Sequence, residues 1–439
     1  MTMVKILRQL VSIVTVVWLV WFNFVPAAWA FCGFYVAKAD SSLFNQASQV
    51  IIAREGNRTI LTMANDYRGD VQEFAVVVPV PVVIKKEQVR VGNPNIINRL
   101  DAFTAPRLVE YFDPDPCAPV VFERVMTAPP AGSKTSIDQD RASSLGVTIE
   151  EKFTVGEYDI LILSAKESAG LAMWLQENGY KIPAGAREIL RPYIRDNMKF
   201  FVAKVNLQEL AKSDSQFLRP LLIAYESPKF MLPIRLGMLN ANGDQDLIVY
   251  LLSPDGRAEV TNYRTVKIPT DTNLPLFIKH EFAAFYKAMF QTAYQREGRN
   301  VVFVEYAWDM ASCDPCAAQP LTPQELKEAG VFWDTNRVFV TRLHVRYNRQ
   351  TFPEDLRFRP TKNQELFQGR YVLNHPFRGA ITCQEKNNYE RMVRQRQEEE
   401  IKNLVRLTNW NVDEVRRKAS VTQYKPERSD RPFWERIWK

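Results

Sequence analysis

Two apolar runs near the start of the chain predict a β-hairpin. Residues 50–53 and 59–63 are rich in valine, isoleucine and threonine, and Glu55-Gly56-Asn57 between them favours a tight turn. A further apolar run at 74–78 continues into Pro79-Val80-Pro81. Because the two prolines remove N–H donors on the same side of a strand, we expect this strand to lie at a sheet edge or to bend away there.

From residue 148 to 384 the pattern changes repeatedly between strand and helix periodicity. A capping box at Ser164 and Glu167 predicts a helix that ends near Gly179 and buries Leu171, Trp174 and Leu175. Further segments are predicted as strands at 158–163, 200–203, 247–252, 258–263 and 301–306, and as helices near 184–197 and 277–294. The sequence therefore predicts an α+β fold, with a β-rich, two-lobed body.

The C-terminal segment, residues 385–439, reads as a charged helical tail. Apolar positions at Tyr389, Val393, Ile401 and Leu404 define one helix face, although residues 394–400 interrupt it; Asn411 can cap a second helix, with Trp410 packing onto Val415. We expect these helices to pack on the body. The alternative is an amphipathic arm for anionic envelope polymers or lipid surfaces.

The first thirty residues have the pattern of a signal peptide. Lys5 and Arg8 precede an apolar run at 10–25, and small residues stand at Ala28 and Ala30. We therefore expect export to the periplasm or the extracellular space, with no integral membrane span after cleavage. The expected divisions are a signal peptide (1–30), a β-rich N-terminal domain (31–147), an α+β domain (148–384) and the tail (385–439).

Composition narrows the class of partner. Apolar side chains make up 46% of the 439 residues, which is ample for a packed core. The net charge is +7, and the tail alone carries fourteen Lys or Arg against ten Asp or Glu. No nucleic-acid-binding module is recognisable, so we expect a cell-envelope component or another exported protein as partner, and no nucleic acid.

Export makes the five cysteines disulfide candidates: Cys32, Cys117, Cys313, Cys316 and Cys383. We expect Cys117 to bond to a distant cysteine and to fix its loop to the body. Cys313 and Cys316 form a CDPC motif, for which a structural disulfide is the preferred interpretation. A catalytic thiolate would need a helix N-terminus, but the best helix start comes later, with Thr322 as the cap and Glu325 at the third position.

Two alternatives to a structural disulfide remain. Cys313 as nucleophile and Cys316 as resolving thiol would make a thiol–disulfide oxidoreductase. Zinc bound by the CDPC cysteines together with Cys117 is the other, although an oxidising compartment works against it. No complete catalytic set is recognisable, so the sequence favours a non-catalytic protein without cofactor or metal.

A cationic row is the remaining candidate site. On a strand over residues 338–347, alternation places Arg342, His344 and Arg346 on one face. Such a row could bind a phosphate, carboxylate or polysaccharide. A solvated sheet face with acidic partners is the simpler interpretation. The oxygen-rich residues 240–246 resemble a calcium loop, but the spacing favours a hairpin turn.

Several stretches together resemble a known family. They are CGFYVAKADSSLFNQASQVI from Cys32, TMANDYRGDVQEFAVVVPVP from Thr62, DAFTAPRLVEYFDPDPC from Asp101, WLQENGYKIP from Trp174, CDPC from Cys313 and FVTRLHVRYNRQTFPEDLRF from Phe339. In this order they resemble the bacterial secreted proteins grouped as domain of unknown function 2330. The resemblance implies export and a shared architecture, and it implies no reaction, substrate or catalytic residue.

Overall fold

The structure is a computed structural model that describes residues 34–37, 44–45, 48–64, 67–68, 74–118, 147–178, 185–206, 208–209, 218–240, 243–313 and 318–422. The expected signal peptide, Cys32 and Cys316 lie outside these residues. The α+β fold with C-terminal helices is confirmed, because helices and several sheets are both present and the last helices follow the sheets.

The largest sheet has nine strands, here numbered in chain order. Along the sheet they are β16 (Arg264–Lys267), β18 (Val301–Asp309), β19 (Phe339–Tyr347), β14 (Gln245–Ser253), β3 (Ser48–Glu55), β4 (Arg58–Ala64), β12 (Leu221–Glu226) and β7 (Val89–Val91), with β21 (Phe367–Gln368) paired to β18. β3 and β4 are antiparallel around Gly56, whose φ is 58°. The predicted hairpin is therefore confirmed.

The second sheet has five strands. In spatial order they are β1 (Phe34–Ala37), β6 (Phe74–Val80), β11 (Lys199–Val205), β10 (Tyr158–Ala165) and β9 (Val147–Val155). From Phe74 to Val77 the strand β6 is internal, because β1 pairs with it there. β1 ends there, and Pro79 and Val80 pair only with β11. Pro79 therefore lies where β6 has a paired strand on one side only, a position that tolerates a residue without an N–H donor.

Both large sheets combine strands from either side of residue 147, where the sequence suggests a boundary. Three small sheets make up the rest of the β structure in the described residues: β13 (Met231–Leu232) with β20 (Leu356–Pro360) and β15 (Ala258–Val260); β17 (Thr272–Asn273) with β22 (Arg370–His375) and β8 (Arg107–Phe112); and β2 (Phe44–Asn45) with β5 (Tyr67–Arg68). The segment that would form the boundary, residues 119–146, lies outside the described residues.

Seven α-helices are described. They are α1 (Pro94–Thr104), α2 (Ser168–Glu177), α3 (Ala186–Arg195), α4 (Ile278–Arg296), α5 (Pro323–Glu328), α6 (Lys386–Thr408) and α7 (Val412–Thr422), with short 3-10 helices at Lys86–Gln88 and Arg235–Asn240. The capping box predicted at Ser164 is wrong: Ser164 is still in β10, and α2 begins at Ser168. Leu171 and Leu175 of α2 are buried as predicted, whereas Trp174 is only partly buried against the same core.

The two large sheets share one hydrophobic core. It includes Val50 and Val249 of the nine-stranded sheet and Val76 and Ile160 of the five-stranded sheet. A second core joins the other face of the nine-stranded sheet to α1 and α5, and a third joins the other face of the five-stranded sheet to α2 and α3. The arrangement is a layered one, with helices outside two facing sheets.

The C-terminal helices pack on the body, as the simpler interpretation predicts. All four predicted apolar positions are buried: Tyr389, Val393, Ile401 and Leu404. The side-chain oxygen of Asn411 accepts hydrogen bonds from the backbone N–H groups of Asp413 and Glu414, at 3.0 Å each, so its capping role is confirmed. No helix in the described part of the chain has the length and apolarity needed to cross a membrane.

A group of contacts, which we call the C-terminal clasp, joins the loop after β8 to the start of α6. A disulfide links Cys117 to Cys383 across 266 positions of sequence. The carboxylate of Asp113 accepts two hydrogen bonds from the guanidinium of Arg396, at 2.9 and 2.8 Å, and one from the hydroxyl of Tyr389 at 2.7 Å. The clasp therefore combines a covalent link with a bidentate ion pair.

Glu400 lies on the buried side of α6, beyond the clasp. Burial raises the pKa of Glu400 to about 8, although Arg396 and Asn374 favour its ionised form. Arg396 lies 3.8 Å from Glu400 and is already bonded to Asp113, so its attraction is divided between two carboxylates. The carboxyl group is therefore largely protonated at neutral pH.

We predict that replacing both clasp cysteines, Cys117→Ser with Cys383→Ser, lowers the free energy of unfolding by about 2–4 kcal/mol, because the bridge restricts the unfolded chain. Urea denaturation of the oxidised wild type and the double variant measures the difference. Dithiothreitol, which also reduces the disulfide of Cys313, should lower the stability of the wild type by at least as much. Equal stability of all three forms contradicts the prediction.

Candidate functional site

The predicted cationic row lies on β19, near the middle of the nine-stranded sheet. Its neighbours are β14 and β18, and Arg342 stands opposite Tyr250 of β14. Leu343, which has the opposite orientation, belongs to the core between the two sheets. The alternation is therefore as predicted. The expectation of a solvated face is wrong, because Arg342 and His344 are only 6% and 7% exposed.

Carboxylates neutralise Arg342 from two directions. Its Nε donates to Oε2 of Glu305 at 2.6 Å, and its Nη1 donates to Oδ1 of Asp101, on α1, also at 2.6 Å. Nη1 also lies 3.2 Å from the hydroxyl of Tyr250. Burial alone would lower the pKa of Arg342, but Tyr250, Glu305 and Asp101 outweigh that effect and raise the pKa above its usual value. The guanidinium is thus permanently charged inside the protein.

His344 bridges two carboxylates. Its Nδ1 lies 2.7 Å from Oε1 of Glu305, and its Nε2 lies 3.2 Å from Oδ1 of Asp246. A neutral imidazole has one N–H and would turn a lone pair towards one of these anions. Burial would lower the pKa of His344, but Glu305 and Asp246 raise it above its ordinary value. The geometry and the charges both favour the imidazolium.

Arg346 and α4 complete the arrangement. Arg346 makes a bidentate ion pair with Asp246, at 2.7 and 2.6 Å, and donates to the side chain of Gln291 at 2.6 Å. The ring of Phe290 stacks on His344 with centroids 3.8 Å apart and also lies 4.9 Å from the guanidinium of Arg346. Stacking on an aromatic face stabilises both cations by cation–π attraction. Because α1 and α4 both contact this face, they cover it together.

We call this set the buried ion network: Arg342, His344, Arg346, Asp101, Glu305 and Asp246. With His344 protonated, its three cations balance its three carboxylates. Burial would raise the pKa of Glu305, but His344 and Arg342 hold it at about 2. Burial would also raise the pKa of Asp246, but His344 and Arg346 lower it below its usual value. The network is therefore internally compensated, as buried charges must be.

A β-bulge explains how Glu305 reaches the cations. The pairing of β18 with β19 shifts between Val304 and Tyr306, so Glu305 is an extra residue opposite β19. A bulge re-aims the side chain at the extra position. Glu305 contacts both Arg342 and His344, and it also accepts a hydrogen bond from the hydroxyl of Tyr286 on α4. One carboxylate thus joins two strands and a helix.

Sequence reasoning missed the acidic half of this network. The sequence pattern places Asp246 in a hairpin turn, but in the structure it is the second residue of β14, and its carboxylate pairs with Arg346. Glu305 stands alone within the apolar run 301–308. An isolated carboxylate in such a run is a signal of a paired, buried charge, because an unpaired one would be too costly. The partner itself depends on sheet order, which the sequence does not state.

The three cysteines in the described residues, Cys117, Cys313 and Cys383, are all disulfide-bonded. Cys117 is bonded to Cys383, so the zinc alternative that uses Cys117 is wrong. Cys313 is also disulfide-bonded, and its partner is outside the described residues, as is Cys316. α5 begins at Pro323 with the predicted Thr322–Glu325 capping box. Cys313 therefore does not stand at the start of that helix. In the described ranges, no group of three or more His, Cys, Asp or Glu is placed to hold a metal ion.

An open pocket of about 390 Å³ lies elsewhere on the same face of the sheet. We call it the cationic groove. Its lining comes from β4, β7, β12, α5, the loop after α5 and the 3-10 helix before β7: Arg58, Ile60, Glu87, Gln88, Arg90, Leu222, Ala224, Lys327, Val331, Phe332 and Trp333. The three cations in this set are solvent-exposed, while Ile60, Leu222 and Val331 are buried. The groove thus has an apolar floor and a charged rim.

Gly330 fixes one wall of the cationic groove. Its φ of 105° is in the left-handed region, and a Cβ there would lie 2.9 Å from the side chain of Ile60. The chain leaving α5 can therefore approach β4 closely and place Phe332 and Trp333 beside the floor. The indole of Trp333 donates to the carbonyl of Arg337 at 2.7 Å, so this ring is held in position.

We predict that Glu305→Gln lowers the free energy of unfolding by about 3–5 kcal/mol, because it leaves Arg342 and His344 short of a buried counter-charge. The matched control is Glu259→Gln, which removes a strand carboxylate that pairs with Arg257 and Arg359 at the surface. That control should cost less than about 1 kcal/mol. Chemical denaturation measures both, and equal losses would show that the network does not depend on Glu305.

Stability should fall as the pH rises above about 6.5. The pKa of His344 is raised from 6.5 by Glu305 and Asp246 against the effect of burial, and Arg342, Arg346 and Tyr286 also face this site. Its stabilisation is therefore complete below the unfolded pKa and is lost as the pH rises through the higher folded pKa. The slope is at most about 1.4 kcal/mol per pH unit for one proton.

Urea unfolding between pH 6 and 9 checks this pH dependence. The measurement is made on the Glu400→Gln variant, because the raised pKa of Glu400 would itself make stability fall with rising pH. A further His344→Gln substitution should flatten the curve. A flat curve before that substitution would mean that His344 is neutral in the folded protein.

Comparison with known proteins places the chain in a bacterial family. No curated protein and no solved structure is detectably similar to it. The family profile described as uncharacterized protein conserved in bacteria (DUF2330) matches residues 26–359, which is more than half of the chain. The protein therefore belongs to the DUF2330 family.

Proposed function

We propose that the protein is exported and serves in the bacterial envelope as a non-catalytic, disulfide-supported binding component. The observation that carries the proposal is the bond between Cys117 and Cys383. Such bridges persist in oxidising compartments and are rare in the cytosol. The signal-peptide pattern of residues 1–30 supports the same location, which can be the periplasm or the extracellular space.

Binding is favoured over turnover by how the reactive groups are used. Glu305, Asp246 and the imidazole of the buried ion network are buried and bond to one another, and Asp101 is bonded to Arg342. In contrast, the cationic groove presents exposed charges around an apolar floor. This combination supports recognition of a ligand.

The test of location is fractionation of a bacterial host that expresses the full chain, followed by mass spectrometry of unreduced tryptic peptides. We expect the periplasmic or extracellular fraction to contain a chain starting at Phe31 and a cross-linked Cys117–Cys383 peptide. A control with Val16→Lys and Leu19→Lys, which breaks the apolar run, should remain in the cytosol with reduced cysteines. Wild-type protein that behaves like this control would overturn the proposal.

The non-catalytic part has its own test. The alternative oxidoreductase would reduce insulin disulfides with Cys313 as nucleophile and Cys316 as resolving thiol. We expect the purified protein with dithiothreitol to reduce insulin no faster than dithiothreitol alone. Acceleration that Cys313→Ser abolishes would replace the binding role with thiol–disulfide exchange.

A further inference from the structure

We infer that the cationic groove binds an acidic peptide segment that carries apolar side chains, such as a loop or tail of another envelope protein. This inference rests on the proposed function, because it names the ligand class of a binding protein. It is carried by the free charges of the groove, by its buried floor and by the internal bonding of its other polar groups.

The charge of the groove selects an anion. Its lining holds three cations, Arg58, Arg90 and Lys327, and one carboxylate, Glu87, which leaves a net charge of +2. Glu55 and Glu226 stand opposite Arg58 on the neighbouring strands, but within the described structure neither forms an ion pair with it. The cationic ends of Arg58 and Lys327 are therefore available to carboxylates of a ligand.

The floor selects an apolar side chain. Ile60 and Leu222 are 8% and 2% exposed, and Val331 is 2% exposed, so they form a recessed surface between the walls. The helix α5 is tied to β7, since the guanidinium of Arg90 donates to the carbonyl of Lys327 at 3.3 Å. A pocket of about 390 Å³ is in the size range that takes a few side chains of a ligand.

The remaining polar and aromatic groups do not suit a sugar. Both ends of the Gln88 amide are already used: the nitrogen donates to the carbonyl of Ala224, and the oxygen accepts from the backbone N–H of Lys85, each at 2.9 Å. The guanidinium of Arg58 lies 4.5 Å from the centre of the Phe332 ring and covers one face of it. Phe332 and Trp333 are at 88° to each other, so they offer no continuous stacking platform.

A lipid surface is also a poorer fit. Proteins that insert into a bilayer interface present apolar side chains outward. The apolar floor of the groove, formed by Ile60, Leu222 and Val331, is recessed below a rim of charges. A peptide can extend into such a recess, because its alternate side chains can address the floor and the rim separately. The acidic peptide therefore matches the charge, the floor and the shape together.

The experiment is isothermal titration calorimetry of the purified, oxidised protein with blocked hexapeptides. The probe alternates glutamate with leucine, and the comparison peptides alternate glutamine or lysine with leucine. We expect the acidic probe to bind, with an affinity that falls as salt is added. The double variant Arg58→Gln with Lys327→Gln should bind it roughly tenfold more weakly.

A matched control variant loses the same number of positive charges at positions far from the groove. Lys166→Gln with Arg187→Gln removes two exposed cations on the side of the five-stranded sheet, and it should leave the affinity unchanged. Circular dichroism of both double variants should be identical to that of the wild type. Equal weakening by the control variant would show that net charge alone drives binding, and would overturn the inference.

The other outcomes are equally decisive. Equal binding of the glutamine peptide, or no binding of the acidic one, would contradict the inference. So would binding of inorganic phosphate, or of vesicles containing phosphatidylglycerol, that depends on Arg58 and Lys327 while the peptide fails. None of these results would affect the proposed export and disulfide support, because the fractionation and insulin measurements test those separately.

Discussion

The constraint on which the rest of the structure depends is the burial of cationic side chains on one strand near the middle of a sheet, where Arg342 and His344 are buried and Arg346 is largely covered. Arg342, His344 and Arg346 can lie there only if the fold brings carboxylates to them, because an uncompensated charge in the interior costs several kcal/mol. Glu305 arrives through a bulge in β18, and Asp246 arrives from β14. Asp101 is contributed by α1. The network thus fixes how three strands and the covering helices meet.

The same constraint distinguishes the cations that hold the fold together from those that are available to a ligand. A row of cations on a strand resembles an anion-binding site in the sequence, but in the structure the charges are already used. The cations that remain exposed, such as Arg58 and Lys327, come from different parts of the chain and meet at the cationic groove. Here the floor is apolar, and the rim charges have no carboxylate partner within the described residues. Recognition by this protein is therefore expected at the groove.

Much of the local structure follows from the sequence, because its causes are local. The hairpin around Gly56, the capping box at Thr322 and the cap at Asn411 each depend on residues within a few positions of one another. The error at Ser164 has a local cause too, since the strand β10 continues through this residue and delays the helix. The partner of Cys117 and the burial of β19 depend on contacts between distant segments. Neither could be deduced from spacing, because sheet order decides both.

The most direct measurement of the central claim is nitrogen-15 NMR of the His344 ring at pH 7, with His344→Gln used to assign its signals. The account predicts that both ring nitrogens carry protons that exchange slowly with water, since each faces a buried carboxylate. A neutral ring with a single, rapidly exchanging proton would contradict it. The three cations of β19 would then not be balanced by their carboxylates as described.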